Sequence, residues 1–427
     1  MVSIQKYEIV SFFVAAFFFI VGLGMWIAFW PIFNSELRAN YKLEGNVDGS
    51  LKYAAYLYAN PPMKNVMKFN LFNVTNPDEV KYLGAKPEII EVGGYAYLES
   101  EQKKYYEFSD DKTKMFYQNY KRYLYSPEDT AEGLSYDDKI LFPNSIAAGA
   151  VATIFGPTSG FSETAQLIAS IGLVMVGEYP FISKTVKDVL FEGYEDPLLD
   201  VAHSQIFTSI VNFFGYGAQL SYIPEMRKFA YLAGYNNSYD ENYWINTGYK
   251  DFNKLGFVES WAGLKELPES FWPTPKARQI KGPGHNAQPP FSVLVSPPHF
   301  LYSPPEVQHY LSGMSPDPQK HTPMVFHQEK ISGTALQVDV RFQVNLPIVN
   351  NKRSIMSSQM PNVIIPLFYE DSHAVVKDFV MNTVWLGIIV VPRIIEYLKF
   401  VLVFVAIGIL TVLLVIRVRV KGSVSVV

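Results

Sequence analysis

Leu336-Gln337-Val338-Asp339-Val340-Arg341-Phe342-Gln343-Val344-Asn345-Leu346 is the stretch from which the fold can be read. Apolar and polar residues alternate through it without a break. A period of two sends successive side chains to opposite faces, so the segment reads as a β-strand with its apolar face buried. Met67, Phe69 and Leu71, alternating with Lys68 and Asn70, repeat the pattern more weakly. Residues 115–125 are rich in Tyr and Phe, which suits a half-buried sheet. Residues 363–369 form another β-like run, interrupted by Pro366.

Between these strands the composition shifts. Over residues 144–200 Ala, Leu, Ile and Met dominate, and Asn or Ser stands at N-cap positions. Two or three helices are expected, within 144–152, 161–175 and 183–191. Phe161, Ala165, Ile168, Ile171 and Met175 recur at steps of three and four. Such a stripe reads first as packing between helices. The alternative is a lipid-attracting surface at the tip of the domain.

Further outward lie two apolar runs. Residues 9–33 contain no charge, and about 20 residues suffice to cross a hydrocarbon core. Trp26 and Trp30 stand near the far end, where indole rings favour the interface. The run is too long for a cleaved signal core, and no small-residue cleavage site follows it. Residues 400–416 are also uncharged, and Lys399 and Arg417 can extend their stems to the interface. Arg417, Arg419 and Lys421 mark a cytoplasmic flank. The expected order is a cytoplasmic tail (1–8), a span (9–33), an exterior or luminal domain (34–398), a second span (399–416) and a cytoplasmic tail (417–427). Two sequons fall in the exterior part, at Asn73 and Asn236, so N-glycosylation is expected there. Asn73 lies inside a strand-like pattern, and burial there would leave it unmodified.

Several functions are excluded or unsupported. Charge is nearly balanced, 36 basic against 40 acidic residues, so no nucleic-acid footprint is present. With no cysteine, disulfides and thiolate chemistry are impossible. The histidines show no metal-ligand spacing, and His299 is expected to be a packed core residue. Nucleophile-elbow, P-loop and dinucleotide motifs are lacking. Asp110-Asp111, Asp137-Asp138 and Glu370-Asp371 read as solvated turns. Neither a catalytic residue nor a cofactor is expected.

Specific motifs narrow the reading. Asn70-Leu71-Phe72-Asn73-Val74-Thr75-Asn76-Pro77-Asp78-Glu79 and Glu91-Val92-Gly93-Gly94-Tyr95-Ala96-Tyr97 occur in order. Gly193-Tyr194-Glu195-Asp196-Pro197, Lys254-Leu255-Gly256, and Pro298-His299-Phe300-Leu301-Tyr302 with Gly313-Met314, Pro316 and His321 follow. Together they resemble the class B scavenger receptor family, which includes the fatty-acid translocase, the high-density lipoprotein receptor, the lysosomal integral membrane protein and the sensory neuron membrane proteins. The resemblance implies an α+β membrane protein: a large, mainly antiparallel, β-barrel-like ectodomain with a helical apex bundle, flanked by N- and C-terminal transmembrane helices. It also implies a hydrophobic tunnel leading toward the bilayer. The pattern departs near residues 291–296, where relatives carry several dozen more residues, including most of their cysteines. Loss of that piece should remove strands and open the barrel wall.

The expected role is capture of fatty acids, sterol esters, phospholipids or lipoprotein particles at the apex and passage of lipid to the membrane. Phe161, Ile168, Ile171 and Met175 are the candidate contacts, with Lys184 and Lys187 placed to attract anionic headgroups. The alternative is a non-transporting receptor whose apex recognises a protein. A channel subunit is disfavoured, because Ser11 and Thr411 are the sole polar side chains in the spans apart from aromatics. No dileucine-type signal stands in the C-terminal tail, so the plasma membrane is expected, with the endolysosomal membrane as the alternative.

Overall fold

The computed structural model describes residues 2–156, 159–217, 226–266 and 293–424. Helix α1 (Val2–Tyr41) and the short α2 (Tyr53–Ala59) lead into β1 (Met63–Val74), α3 (Pro77–Leu83), β2 (Ile89–Phe108) and β3 (Lys114–Tyr125). A hairpin of β4 (Lys139–Pro143) and β5 (Phe181–Thr185) carries α4 (Ser145–Phe155) and α5 (Glu163–Met175) between its strands. After β6 (Tyr194–Glu195) come α6 (Pro197–Ala202), α7 (Gln205–Phe213), β7 (Lys228–Phe229), β8 (Ser238–Asn246) and β9 (Val258–Trp261). The chain returns through β10 (Leu294–Ser296), α8 (Pro305–His309), β11 (Met324–Gln328), β12 (Ala335–Ile348) and β13 (Val363–Val376). It ends in α9 (Asp378–Val384), a π-helical turn (Trp385–Val390) and α10 (Val391–Val424).

The main sheet is antiparallel and runs β10-β12-β13-β1-β2-β3-β8-β9, with β11 sharing the β10 edge of β12. Among the described residues no pairing joins β9 to β10 or β11, so the strand path is open at both ends. The segment joining them, 267–292, is outside the described residues, as is the 291–292 part of the departure noted above.

Local chemistry explains the irregular points. A bulge between Phe69 and Asn70 brings the β1 backbone against Gly93, where an added Cβ would lie 2.1 Å from Asn70 Oδ1. Only glycine permits that approach. Pro366 does not end its strand. It sits opposite Asn345 at a bulge, and β1 pairs with β13 only as far as Phe368, so its missing N–H removes no bond on that side.

The strand at 335–348 forms as read, and Leu346 is buried as expected, but the rest of its burial departs from the expectation. Asp339, Gln343 and Asn345 are buried, whereas Val338, Val340, Phe342 and Val344 are only half-buried. Residues 293–323 fold across the polar face. Gln343 Oε1 accepts the His299 amide (2.7 Å), Gln343 Nε2 donates to Asn345 Oδ1 (2.7 Å), and Asn345 Nδ2 donates to the Leu294 carbonyl (3.1 Å). A fully hydrogen-bonded polar face can be buried without penalty. The apolar face lines the concave side with Phe69, Tyr97 and Phe368. That concave side is not wholly apolar. Glu370 is buried there beside Ser372, and burial pushes its carboxyl up to about 7. Asp371, its sequence neighbour, faces the other way and pairs with Arg341 at 2.9 Å, and both lie within β13, so the turn reading of 370–371 does not apply.

A second correction concerns 183–191. Its first half is strand, in β5, and its second is a single π-helical turn at Asp188–Glu192. The β-branched Ile182 and Thr185 sit in the β4–β5 ladder, and that pairing outweighs local helix propensity.

At the opposite end of the sheet from the apex, α1 and α10 run antiparallel. Arg417 Nε lies 3.6 Å from Glu8 Oε2, Trp26 meets Phe400 edge-on at 4.8 Å, and Trp30 Nε1 donates to Glu396 Oε1 (3.3 Å). At Gly22 an added Cβ would be 2.8 Å from Val403 Cγ2, so a glycine sets the closest crossing. Residues Lys6–Tyr41 and Asp378–Arg419 are each helical, long and apolar enough to span a bilayer. Val380, Val384 and Ile388 join them to the sheet base by packing on Leu37, Met63 and Leu336.

Candidate functional site

Helices α4 to α7 stand at the end of the sheet far from α1 and α10. Asn73, near the end of β1, fixes their hairpin by accepting the Leu141 amide at 2.9 Å. Both expected N-caps form: Asn144 accepts the Ile146 and Ala147 amides, and Ser162 accepts that of Ala165. Glu178 ties α4 to α6, accepting Asn144 Nδ2 (2.8 Å) and the Leu198 amide (3.2 Å). Burial, with Asp196 alongside, pushes the Glu178 carboxyl up to about 7.

Helix α5 packs by its polar side. Gln166, Ser170 and Leu173 are its buried residues. Gln166 donates to the Ile154 carbonyl and accepts from Arg353, and Ser170 Oγ accepts the Ile355 amide at 2.8 Å. The packing expectation for the apolar stripe is therefore overturned. Ile168, Ile171 and Met175 are exposed, Met175 to 82%, and Leu167 and Val174 join them. The physical reason is that residues 353–355 meet Gln166 and Ser170 with hydrogen bonds, while Leu173 is the side chain of α5 that enters the buried apolar cluster of Ala147, Val151, Phe155 and Met356.

Phe161 is half-buried and stacks on Tyr216 at 4.7 Å, while Tyr216 OH accepts from the Ser162 amide. This links the start of α5 to the end of α7. Helix α7 adds exposed Ile206, Ile210, Phe213 (84%) and Phe214. Sequence reasoning missed these residues, which lie beyond 144–200. Their own i, i+4, i+7 spacing was the available signal. Single exposed apolar residues are ordinary, but a cluster on two linked helices is not.

The two lysines do not join that surface. Lys187 Nζ is 2.7 Å from Asp137 Oδ1 and lies over the Tyr136 ring, and Lys184 lies over the Tyr194 ring at 4.8 Å. Their charges are engaged on the β4–β5 side. Of the sequons, Asn73 and Asn236 each accept a backbone amide, Asn236 from Tyr123 (2.9 Å), and both are half-buried.

Beside α4 an apolar pocket of about 160 Å³ is walled by Ala147, Val151, Phe155, Ile348, Met356 and Met360 among others. That is close to the ~150 Å³ of a cavity that accepts one benzene.

The family model described as CD36 family matches residues 13–293 and 285–417. The chain belongs to the CD36 family. Its two matched stretches meet at 285–293, the region where the resemblance expects extra residues. The uncharacterized protein R07B1.3 of Caenorhabditis elegans is 66% identical, with all of both chains covered. That alignment extends over 536 positions, more than the 427 residues here, so R07B1.3 carries residues without a counterpart in this chain. Scavenger receptor class B member 1 of Rattus norvegicus is 24% identical over 80% of this chain and 76% of its own. Sensory neuron membrane protein 1 of Mamestra brassicae is 22% identical over 92% and 87%. With its two apolar terminal helices, this CD36-family chain is a two-pass membrane protein of the scavenger-receptor type.

Proposed function

We propose that this protein captures lipid or lipoprotein particles on its apex and passes single lipids toward the bilayer. The observation that carries this reading is the set of exposed apolar side chains on two apex helices, Ile168, Ile171 and Met175 on α5 and Ile206, Ile210 and Phe213 on α7, the start of α5 being linked to the chain just after α7 through Phe161 and Tyr216. Moving an acyl chain through water costs about 0.8 kcal/mol per CH₂. A sixteen-carbon tail thus faces roughly 12 kcal/mol, and contact with an apolar surface removes much of that barrier. Fatty acids, sterol esters and phospholipids all meet this requirement. The half-open apolar face of β12 supplies an onward lining, and its helical tether keeps the domain at the membrane.

The test uses the full chain in nanodiscs, with fluorescent phospholipid vesicles and lipoprotein particles as probes. Ile171→Glu combined with Phe213→Glu should cut capture about tenfold or more and leave the unfolding temperature unchanged, since both residues are exposed. Unaltered capture refutes the apex reading.

A second reading is a receptor that docks a protein and transports nothing. The small size of the pocket beside α4 favours it, because the space admits a ring but not a full acyl chain. Val340→Trp, on the concave face, separates the two. Lipid transfer should fall while apex capture persists if the interior is the route; unaltered transfer supports the docking reading.

A further inference from the structure

The segment 293–323 does more than cover the convex face. Between it and strands β2, β12 and β13 lies a polar chamber of about 770 Å³. One wall is a stacked pair, His299 and His321, with ring centres 4.4 Å apart. His299, Phe300 and Tyr302 hold this wall in place with a left-handed backbone, at φ of 53°, 58° and 64°.

The acceptors facing the chamber are already engaged. Glu91 accepts from His299 Nε2 (2.9 Å) and from Tyr369 OH (2.7 Å). Burial works against the Glu91 charge, but these bonds outweigh it and hold the carboxyl below its usual value. Asp371 pairs with Arg341 Nε at 2.9 Å, and Asp317 accepts the Gln319 amide at 2.8 Å. Ser315 donates its amide to His299 Nδ1, which satisfies that ring.

The donors are not all engaged. His321 Nδ1 accepts the Asp317 amide at 3.0 Å, so the neutral ring carries its proton on Nε2. His321 is 6% exposed and lines the chamber; its Nε2–H is not sealed from solvent and donates to none of the described residues. Burial, with His299 beside it, holds His321 below its ordinary value and keeps it neutral near pH 7. The Lys320 ammonium also lines the chamber without a partner among the described residues. Arg341 donates one Nη to the Thr322 carbonyl (3.3 Å), which leaves the other available. Donors that line a polar cavity without a protein partner can take up a ligand there.

We propose that this chamber binds a singly charged oxyanion, a phosphate or carboxylate, through His321 Nε2–H, Lys320 and the second Nη of Arg341. The neighbouring carboxylates of Glu91, Asp317 and Asp371 set the limit on charge: a multiply charged ligand meets repulsion, whereas a monoanion takes up the free donors. The oxyanion is either free in solution or the headgroup of a lipid. The site is independent of the apex surface and lies on the opposite face of β12 from the apolar lining.

The full chain in detergent is titrated with inorganic phosphate and with acetate, followed by phosphorus NMR line broadening and thermal unfolding. A parallel arm uses phosphatidylcholine vesicles with and without phosphatidic acid. Saturable binding in either arm that Lys320→Gln weakens about tenfold, as expected for one charge-assisted hydrogen bond, supports the site and identifies its source. Lys320 is exposed, so this variant keeps the fold. His321→Asn should weaken the same binding. Absence of saturable binding in both arms, or equal affinity in Lys320→Gln, overturns the proposal.

Discussion

Helix α5 at the apex and strand β12 in the sheet are both amphipathic, and both are packed the opposite way to habit. Gln166 and Ser170 face inward on α5, and Asp339, Gln343 and Asn345 are buried on β12. Apart from Leu173 on α5 and Leu346 and Ile348 on β12, the large apolar side chains are left exposed or half-buried in each. They differ in where the open face looks. Ile168, Ile171 and Met175 face out of the molecule beside α7, whereas Val338, Val340 and Phe342 face the concavity of the sheet. A partner can reach the first directly and the second only from within. Amphipathic spacing thus establishes that an element has two faces; its neighbours decide which one is covered.

The largest expected effect tests that covering on β12. Gln343→Leu leaves the His299 amide and the Asn345 carboxamide oxygen unpaired in a buried site, and should destabilise the protein by about 3 kcal/mol in chemical denaturation. A silent substitution would mean that 293–323 is not held by the polar face. Glu370→Gln probes the concave side. The carboxyl titrates near 7 when folded against 4.5 ordinarily, so the folded state binds the extra proton between these values. Its contribution therefore favours folding at low pH and is lost as pH rises through about 7. The substitution should stabilise by about 2 kcal/mol at pH 8 and change nothing near pH 4. Equal effects at both pH values would show that Glu370 is not buried as a carboxylic acid.

Smaller effects belong to α5. Gln166→Leu should cost about 1 kcal/mol by removing its bonds to Ile154 and Arg353, although it makes the helix more apolar. Met175→Ala should fall within about 0.5 kcal/mol, as expected of an exposed side chain. A larger loss at Met175 than at Gln166 would break the comparison, because the apolar face would then be the packed one.

The strands at β1, β3 and β12, the N-caps of α4 and α5, and the two terminal helices are legible in the sequence because they depend on local spacing. The covering of each face is not. Gln343 meets His299 across 44 residues, and Arg353 meets Gln166 across 187. Lys187 reads in the sequence as an available cation, but its partner Asp137 lies fifty positions earlier. The β5 strand was hidden because its partner β4 lies beyond two intervening helices. His299 was legible as a core residue, yet its stacking on His321 depends on a turn that no periodicity announces.

The length of the paired terminal helices has a mechanical consequence. Helix α1 has 40 residues, and at 1.5 Å per residue it extends about 60 Å, twice the roughly 30 Å of a hydrocarbon core. The roughly 30 Å of excess length is divided between the two sides of the bilayer, and the part on the sheet side stands between the sheet and the lipid tails like a pier. Phe379, Met381, Trp385 and Leu386 are exposed along the upper part of that pier. If the proposed transfer occurs, these side chains border the lipid's path to the acyl layer, and shortening the helices above the bilayer should change delivery while apex capture persists.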